Sequence, residues 1–361
     1  MPEHARRHNR SLVIHELLRH GPLARVDLAR ATQLTAATIG DLVGNLLEEG
    51  LVEERGRRPT GTGKPATLLG IVPDARHMVC VDLSDQSRFV GGVVNLLGEV
   101  VSRRSSARRD RTGRAAVRLV AELIAKLVAD TDCPVLGVGV GSPGVVFADG
   151  TVEESSNLHW HHVALAADLT TEVHIPVHVV NDANAAALGE LQFGRSSSPN
   201  VLLVKIGLGV GAGLILDGHL IEGDDSAAGE IGHVVVDTTG DLCACGNRGC
   251  LETVVAAPAL RARIEGRDRQ ASARILAQAG ERLGMALAPV MSMLNLREVL
   301  LSGPPDLLGE AFRQATTAAI KQRTFPLVGS QLEVRLGSTG RDDVLLGTAA
   351  VVLKHELVVR R

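Results

Sequence analysis

Residues 207–252 read GLGVGAGLILDGHLIEGDDSAAGEIGHVVVDTTGDLCACGNRGCLE. Gly207, Gly209, Gly211 and Gly213 alternate with other residues and are preceded by the apolar run VLLVKI (201–206). The pattern predicts a Gly-rich turn between two apolar strands, and such a turn lets backbone N–H groups approach a phosphate. It leads from strand to strand, so it matches neither the dinucleotide fingerprint nor the P-loop, which lead from strand into helix. Further along, Cys243, Cys245 and Cys250 fall within eight residues, Gly246 and Gly249 permit the tight turns, and His233 lies ten residues upstream of Cys243. Three thiolates and one imidazole make a closed tetrahedral set for structural zinc, with no open position for hydrolytic chemistry. Buried thiols beside an unrelated histidine are the alternative, and the crowding of Cys-x-Cys-Gly-x-x-Gly-Cys argues against it.

Outward from this stretch, strands alternate with helices. Met78 to Leu83, Phe89 to Leu96, Val135 to Val140 and Val177 to Val180 read as strands, and Arg114 to Ala129 and Asn184 to Gln192 as helices. This is an α/β pattern. The segments MVCVDLSDQSRFVGGVV (78–94) and VLLVKIGLGVGAGLIL (201–216) echo each other, which predicts two similar lobes with a cleft between them. Asn181-Asp182-Ala183-Asn184 follows a strand end, where α/β sheets bind ligands. A carboxylate there can accept a proton from a hydroxyl while the amides fix neighbouring hydroxyls. Equally, Asp182 can simply cap the helix that follows. Cys80 and Cys133 are expected in the core.

Upstream of Pro73 the texture differs. Ser11 to His20 reads as a helix stopped by Gly21-Pro22, Val26 to Ala31 as a second, and Thr35 as the N-cap of a third carrying Ile39, Leu42, Val43, Leu46 and Leu47 on one face. Gly50 ends it, and Leu51 to Glu54 and Ala66 to Ile71 read as a hairpin. Three helices and a hairpin give a winged helix-turn-helix over 1–72, followed by an α/β unit over 73–361. The lobes of that unit are expected at about 73–180 plus the C-terminal helix, and 181–340. A recognition helix reads double-stranded DNA with its N-terminal residues, here Thr35, Ala36, Ala37 and Thr38. These are short and uncharged, so affinity falls to phosphate contacts from Arg6, Arg7, Arg25 and Arg30 and from the wing's Arg55, Arg57, Arg58 and Lys64. One such helix reads few base pairs, which implies a homodimer or higher homo-oligomer on a two-fold operator.

Composition narrows the classes. The 361 residues are 45% hydrophobic and 22% charged, ordinary for a globular chain of two or three packed units. Aromatics are 2%, with one Trp and no Tyr, so stacking platforms for single-stranded nucleic acid are disfavoured. No apolar run is long enough to span a bilayer, and the N-terminus lacks a signal-peptide apolar region, which implies a cytoplasmic protein with no membrane partner. Residues 1–64 carry ten basic and eight acidic residues against 28 and 33 in the remainder, so a polyanion would meet the N-terminal end.

Together these motifs resemble the ROK family (repressor, open reading frame, kinase): the Gly-rich turn, then Gly229-Glu230-Ile231-Gly232-His233, then the Cys cluster with Leu251-Glu252. The resemblance implies the actin-like, two-lobed sugar kinase fold and, with the winged helix, the regulator branch of the family. Matched position by position, it implies sugar contacts from Gly141, Asn157, Asn181, Asp182, Glu230, His233 and Glu252, with Asp182 at the position of the kinases' catalytic base. His233 then serves twice, one ring nitrogen on zinc and the other toward a hydroxyl. The kinases' Asp-x-Gly-Gly-Thr phosphate turn is here Asp82-Leu83-Ser84-Asp85-Gln86-Ser87, and the second turn's usual Thr is Leu208. Loss of both glycines and gain of Asp85 disfavour ATP binding. The expected function is a sugar-responsive regulator of carbohydrate metabolism, a repressor released from its operator by a sugar. The alternative is an ATP-dependent sugar kinase with an appended DNA-binding domain.

Overall fold

The computed structural model describes residues 3–59, 65–196 and 198–357. Helix α1 (Glu3–His20) buries Val13, Ile14 and Leu17 and ends where Gly21 turns to a positive φ before Pro22. It begins earlier than its apolar spacing predicts. After the two-residue strand β1 (Leu23–Ala24), α2 (Arg25–Thr32) starts with Asp27 accepting from the Ala24 N–H at 3.0 Å. Thr35 caps α3 (Ala36–Glu48), its hydroxyl accepting from the Thr38 N–H at 3.2 Å, and Ile39, Leu42, Val43 and Leu46 face inward. Strands β2 (Val52–Arg58) and β3 (Ala66–Ile71) form the hairpin, in a sheet ordered β1-β3-β2. The predicted first strand stops at Glu54. Pairing with β3 carries it on to Arg58, past a register shift around Gly56.

Strands β4 (His77–Asp82), β5 (Arg88–Asn95) and β6 (Val100–Ala107) form an antiparallel meander. Helix α4 (Gly113–Val128) then leads into β7 (Val135–Ser142), parallel to β4. A small sheet follows, of β8 (Val145–Val146), β9 (Val152–Ser155) and β10 (Trp160–Val163). Helix α5 (Leu165–Val173) returns the chain to β11 (Val177–Asn181), parallel to β7. The first five-stranded sheet is ordered β11-β7-β4-β5-β6. Its edge strand β6 is polar (SRRSSA), which hides it from any reading by hydrophobicity.

The second lobe repeats that plan. Helix α6 (Asp182–Phe193) precedes β12 (Val201–Ile206), β13 (Val210–Leu216) and β14 (His219–Leu220). Helices α7 (Leu251–Val255), α8 (Ala257–Ile264) and α9 (Arg269–Leu294) lead to β15 (Glu298–Ser302), and α10 (Glu310–Arg323) and α11 (Pro326–Ser330) to β16 (Glu333–Leu336). The order β14-β13-β12-β15-β16 is again an antiparallel meander extended by two parallel strands. The echo between 78–94 and 201–216 is therefore a duplicated hairpin, one in each sheet.

Helix α12 (Asp343–Val352), prolonged by a wider turn to Leu357, crosses back to pack on β4 and β7 of the first sheet and against α6. Its crossing with α6 needs Gly347, where a Cβ would lie 1.8 Å from the Ala185 carbonyl oxygen. Each sheet has its own apolar core against its helices. A third core is continuous from Ile14, Leu28, Val43 and Leu69 to Met78, Cys80 and Leu96 and on to Leu345, Ala349 and Leu353 of α12. Cys80 is buried there as expected, whereas Cys133 is half-buried and outside the core. The Val72 N–H donates to Leu51 O and the Leu96 N–H to Pro73 O, so the linker is held between the end of α3 and the β5–β6 turn. Among the described residues no helix is long and apolar enough to cross a membrane.

Candidate functional site

Between the lobes, the strand ends and helix starts converge. Asn181, and not Asp182, caps α6: its Oδ1 accepts from the Ala183 and Asn184 N–H groups at 2.9 and 3.0 Å, while its Nδ2 donates to Gly144 O at 2.9 Å. Asp182 is thus left out of the side-chain cap, and its Oδ2 lies 3.9 Å from Lys205 Nζ. Burial pushes Asp182 above the usual carboxylate range, and Asp343 adds to it, against Lys205 and the Ser84 hydroxyl. Burial raises Asp82 too, opposed by the same two groups. Burial alone would lower Lys205, yet Asp343, Asp182 and Asp82 together raise it. The ammonium is therefore charged across the physiological range.

In the turn after β4, several backbone N–H groups already have carboxylate partners. Asp82 Oδ1 takes the Ser84 N–H at 2.8 Å, and Asp85 Oδ1 takes the Ser87 and Arg88 N–H groups at 2.7 and 3.2 Å. The Ser87 hydroxyl donates to Asp85 as well, at 2.7 Å. Against partial burial, these donors hold Asp85 below the usual carboxylate range, so a fixed negative charge occupies the N–H groups an anion would need. In the second turn the Val210 N–H donates to Glu252 Oε2 at 3.0 Å.

Near that second turn, His233, Cys243, Cys245 and Cys250 place their ligand atoms within 4.8 Å of one another. Cys243 Sγ to His233 Nδ1, and Cys245 Sγ to Cys250 Sγ, are each 3.6 Å. A tetrahedron with metal–sulfur bonds of about 2.3 Å has edges near this length. Burial pushes the Cys250 thiol up to about 12, so its thiolate needs a cation beside it. These residues can hold a metal ion. His233 presents Nδ1 to the thiols and Nε2 to Glu230, 3.7 Å from its Oε2. Burial raises Glu230, and Asp182 and Glu252 add to the effect, so the three acids share one field.

The remaining expected sugar residues are placed differently. Gly141 lies in β7 opposite Asp82, where a Cβ would stand 2.3 Å from Val344 Cγ1, so its smallness serves the packing of α12. Asn157 is exposed on the turn after β9, and its carbonyl accepts from the buried Arg108 guanidinium. In the N-terminal unit, Thr35, Ala36 and Ala37 are exposed and Thr38 half-buried, with the two threonine hydroxyls 2.9 Å apart. Arg25 and Arg57 are exposed. Arg58 instead pairs with Asp27 at 2.7 Å, and Arg55 with Glu53 at 2.7 Å and with Ile71 O. Lys64 lies outside the described residues.

Lys205, Asp343 and Ser302 escaped the sequence reading. The one charged residue in VLLVKI was the available signal for Lys205. Asn184 Oδ1, in the Asn181–Asn184 stretch singled out above, and Ser155 Oγ are buried without a hydrogen-bond partner, and nothing in the local sequence marks Ser155.

A family model described as the ROK family matches residues 78–355. The chain is 28% identical to the xylose repressor of Caldicellulosiruptor bescii, with 97% of this chain and 96% of that protein covered. It superposes with a TM-score of 0.82 on a crystal structure of a ROK family transcriptional regulator, a homolog of the Escherichia coli MLC protein, at 24% identity over 97% of this chain and 96% of that one. A ROK family glucokinase from Streptomyces griseus, solved with glucose and AMPPNP, gives a TM-score of 0.67 at 25% identity, covering 76% of this chain and 98% of the kinase. The α/β part thus has the actin-like sugar kinase fold.

Proposed function

The chain belongs to the ROK family, and from that footing we propose that it is a sugar-responsive transcriptional repressor acting as a homodimer, with residues 1–72 on double-stranded DNA and 73–361 on the sugar. The observation that carries this reading is that the Asp182 carboxylate is kept, beside Lys205, while the Ser87 and Arg88 N–H groups of the turn after β4 are occupied by Asp85. The hydroxyl-binding side of the cleft is kept and the phosphate side is filled. Phosphoryl transfer depends on positioning and on neutralising charge, so Asp182 without a held nucleotide acts as a hydroxyl acceptor and not as a base. The effector fits a neutral aldose, since Asp182, Glu230 and Glu252 would repel a sugar phosphate. D-xylose, named for the repressor relative, is the first candidate.

Zinc on His233, Cys243, Cys245 and Cys250 would fix the His233 tautomer and hold the loop bearing Glu230 and Glu252. When bound it supplies structure, with four protein ligands and no open site. The sugar contacts assigned to Asn157, Asn181, Asp182, Glu230, His233 and Glu252 close the lobes, and α12 and the 72–75 linker carry the change to the DNA-binding unit. A ligand shifts that equilibrium only by its preference for the closed state. The test is operator release, measured on DNA fragments recovered with the protein, against D-xylose, D-glucose and other aldoses, beside sugar phosphate formation with ATP and Mg²⁺. Release without phosphorylation supports the repressor. Turnover near about 1 s⁻¹, within the ordinary enzyme range, would establish the kinase instead.

A further inference from the structure

Asn157 sits in the connection between β9 and β10, where Trp160 is paired opposite Ser155. The buried Trp160 indole N–H donates to Gly113 O at 3.0 Å, at the start of α4. On its other side β9 lies against Gly144, where a Cβ would stand 2.0 Å from Glu154 O, and Gly144 O accepts from Asn181 Nδ2 at 2.9 Å. Arg108 completes the fastening: its guanidinium donates to Asn157 O through Nη2, and to Arg111 O through Nε at 3.0 Å. Residues 108 and 113 thus grip the Asn157 turn from one segment, the connection between β6 and α4.

Arg108 reaches this position because the chain folds back on itself. Its own N–H donates to Ser87 O at 2.8 Å, carrying the β5–β6 pairing one residue past Ala107. Arg109 and Asp110 then both adopt positive φ, 47° and 58°, and the Arg111 N–H donates to Arg108 O at 3.0 Å. That tight turn returns the Arg111 carbonyl to the Arg108 side chain. Arg108 is 7% exposed, and among the described residues its side-chain hydrogen bonds go to main-chain carbonyls and to no carboxylate. Burying a cation without a counter-ion is costly, and an apolar side chain could fill the space without that cost. What the guanidinium adds is a planar fork of donors that can hold the carbonyls of two segments at once. A lysine ammonium on its flexible stem has no such fork.

We propose that Arg108 is a positioning residue for the sugar: by fixing the Asn157 main chain it holds the Asn157 side chain where an aldose hydroxyl can meet it, and through Ser87 O it ties that turn to the Ser84–Ser87 turn. The sugar contact at Asn157 rests on the repressor reading above; the fastening of the turn does not.

Two measurements on the full-length, metal-loaded protein test the two parts. Hydrogen exchange without sugar reads the fastening. Arg108→Gln and Arg108→Lys should each speed exchange across residues 155–163 by about tenfold, a local opening, while exchange in α3 and β12 stays as in wild type. Arg108→Lys keeps the charge and the stem, so it remains readable should Arg108→Gln fold poorly. Calorimetry with D-xylose, D-glucose and other aldoses reads the positioning. For the aldose that wild type binds most tightly, each Arg108 variant should weaken affinity about fivefold, the worth of one neutral hydrogen bond, and Asn157→Ala should do the same. In the Asn157→Ala background the Arg108 substitutions should add nothing, because the amide they position is gone. Wild-type exchange across 155–163 in the Arg108 variants overturns the proposal. So does unchanged aldose affinity, or a loss that adds in full to that of Asn157→Ala. If wild type binds no aldose, the repressor reading falls and the sugar role of Arg108 falls with it, whereas the exchange result still decides the fastening.

Discussion

Under the proposed function, Asp182 is the residue on which the sugar response should turn. As an ionised acceptor it can hold a hydroxyl; protonated, it loses that capacity on one oxygen. Asp182→Asn keeps the shape and removes the charge, so calorimetry with the effective aldose should show affinity weakened by about 1.5–3 kcal/mol, the range for hydrogen bonds to charged groups. The pH dependence has a definite sign. Burial raises Asp182, so it takes up its proton at a higher pH than an ordinary aspartate. Aldose affinity in the wild type should therefore decline on acidification at a higher pH than an ordinary aspartate would give, and Asp182→Asn should flatten that decline. An affinity that is level down to the ordinary aspartate range would count against the assignment.

Among the elements, the α6–α12 crossing and the loop 229–252 are the two whose disturbance should be felt furthest. Gly347→Ala would force a methyl to within 1.8 Å of the Ala185 carbonyl oxygen, against Ala185 backbone and not a flexible side chain that could give way. Overpacking of this kind costs about 1–3 kcal/mol or more, read as a lower thermal midpoint. Sugar response should fall with it, because Asp182 and Asp343 open the two crossing helices. In the loop, Cys245→Ser removes one of the four ligand atoms that could hold a metal ion. Since metal binding and loop folding are linked, metal analysis should show loss of the ion together with loss of operator release, while operator binding without sugar is retained. Release that survives without metal would separate the cluster from the response.

For the whole molecule, the prediction concerns salt. With Arg55 and Arg58 engaged by Glu53 and Asp27, Arg57 on the wing and Arg25 on α2 are the more available cations. Operator affinity should fall steeply with salt, and Arg57→Ala should weaken binding to all sequences alike and lower the salt slope by about one. Exposed ion pairs are weak, so Arg58 can exchange Asp27 for a phosphate; Asp27→Ala should then leave operator affinity unchanged or tighter. The sequence by itself determined whatever depends on short spacing and periodicity: α3 with its Thr35 cap, the hairpin, the His233 and Cys243/Cys245/Cys250 cluster, and the duplicated strand pair. These are set by neighbours within one turn, one hairpin or one loop. It also isolated Asp182, but left open whether that residue caps a helix. Tertiary structure decided this by giving the cap to Asn181 and facing Asp182 with Lys205. The polar strands β6 and the end of β2 exist because partner strands complete their hydrogen bonds, which hydrophobic patterning cannot register. Residues 82, 182, 205 and 343 share one field in the cleft, and no local pattern links positions so far apart. Only the packing of two sheets around α6 and α12 makes one charged site of them.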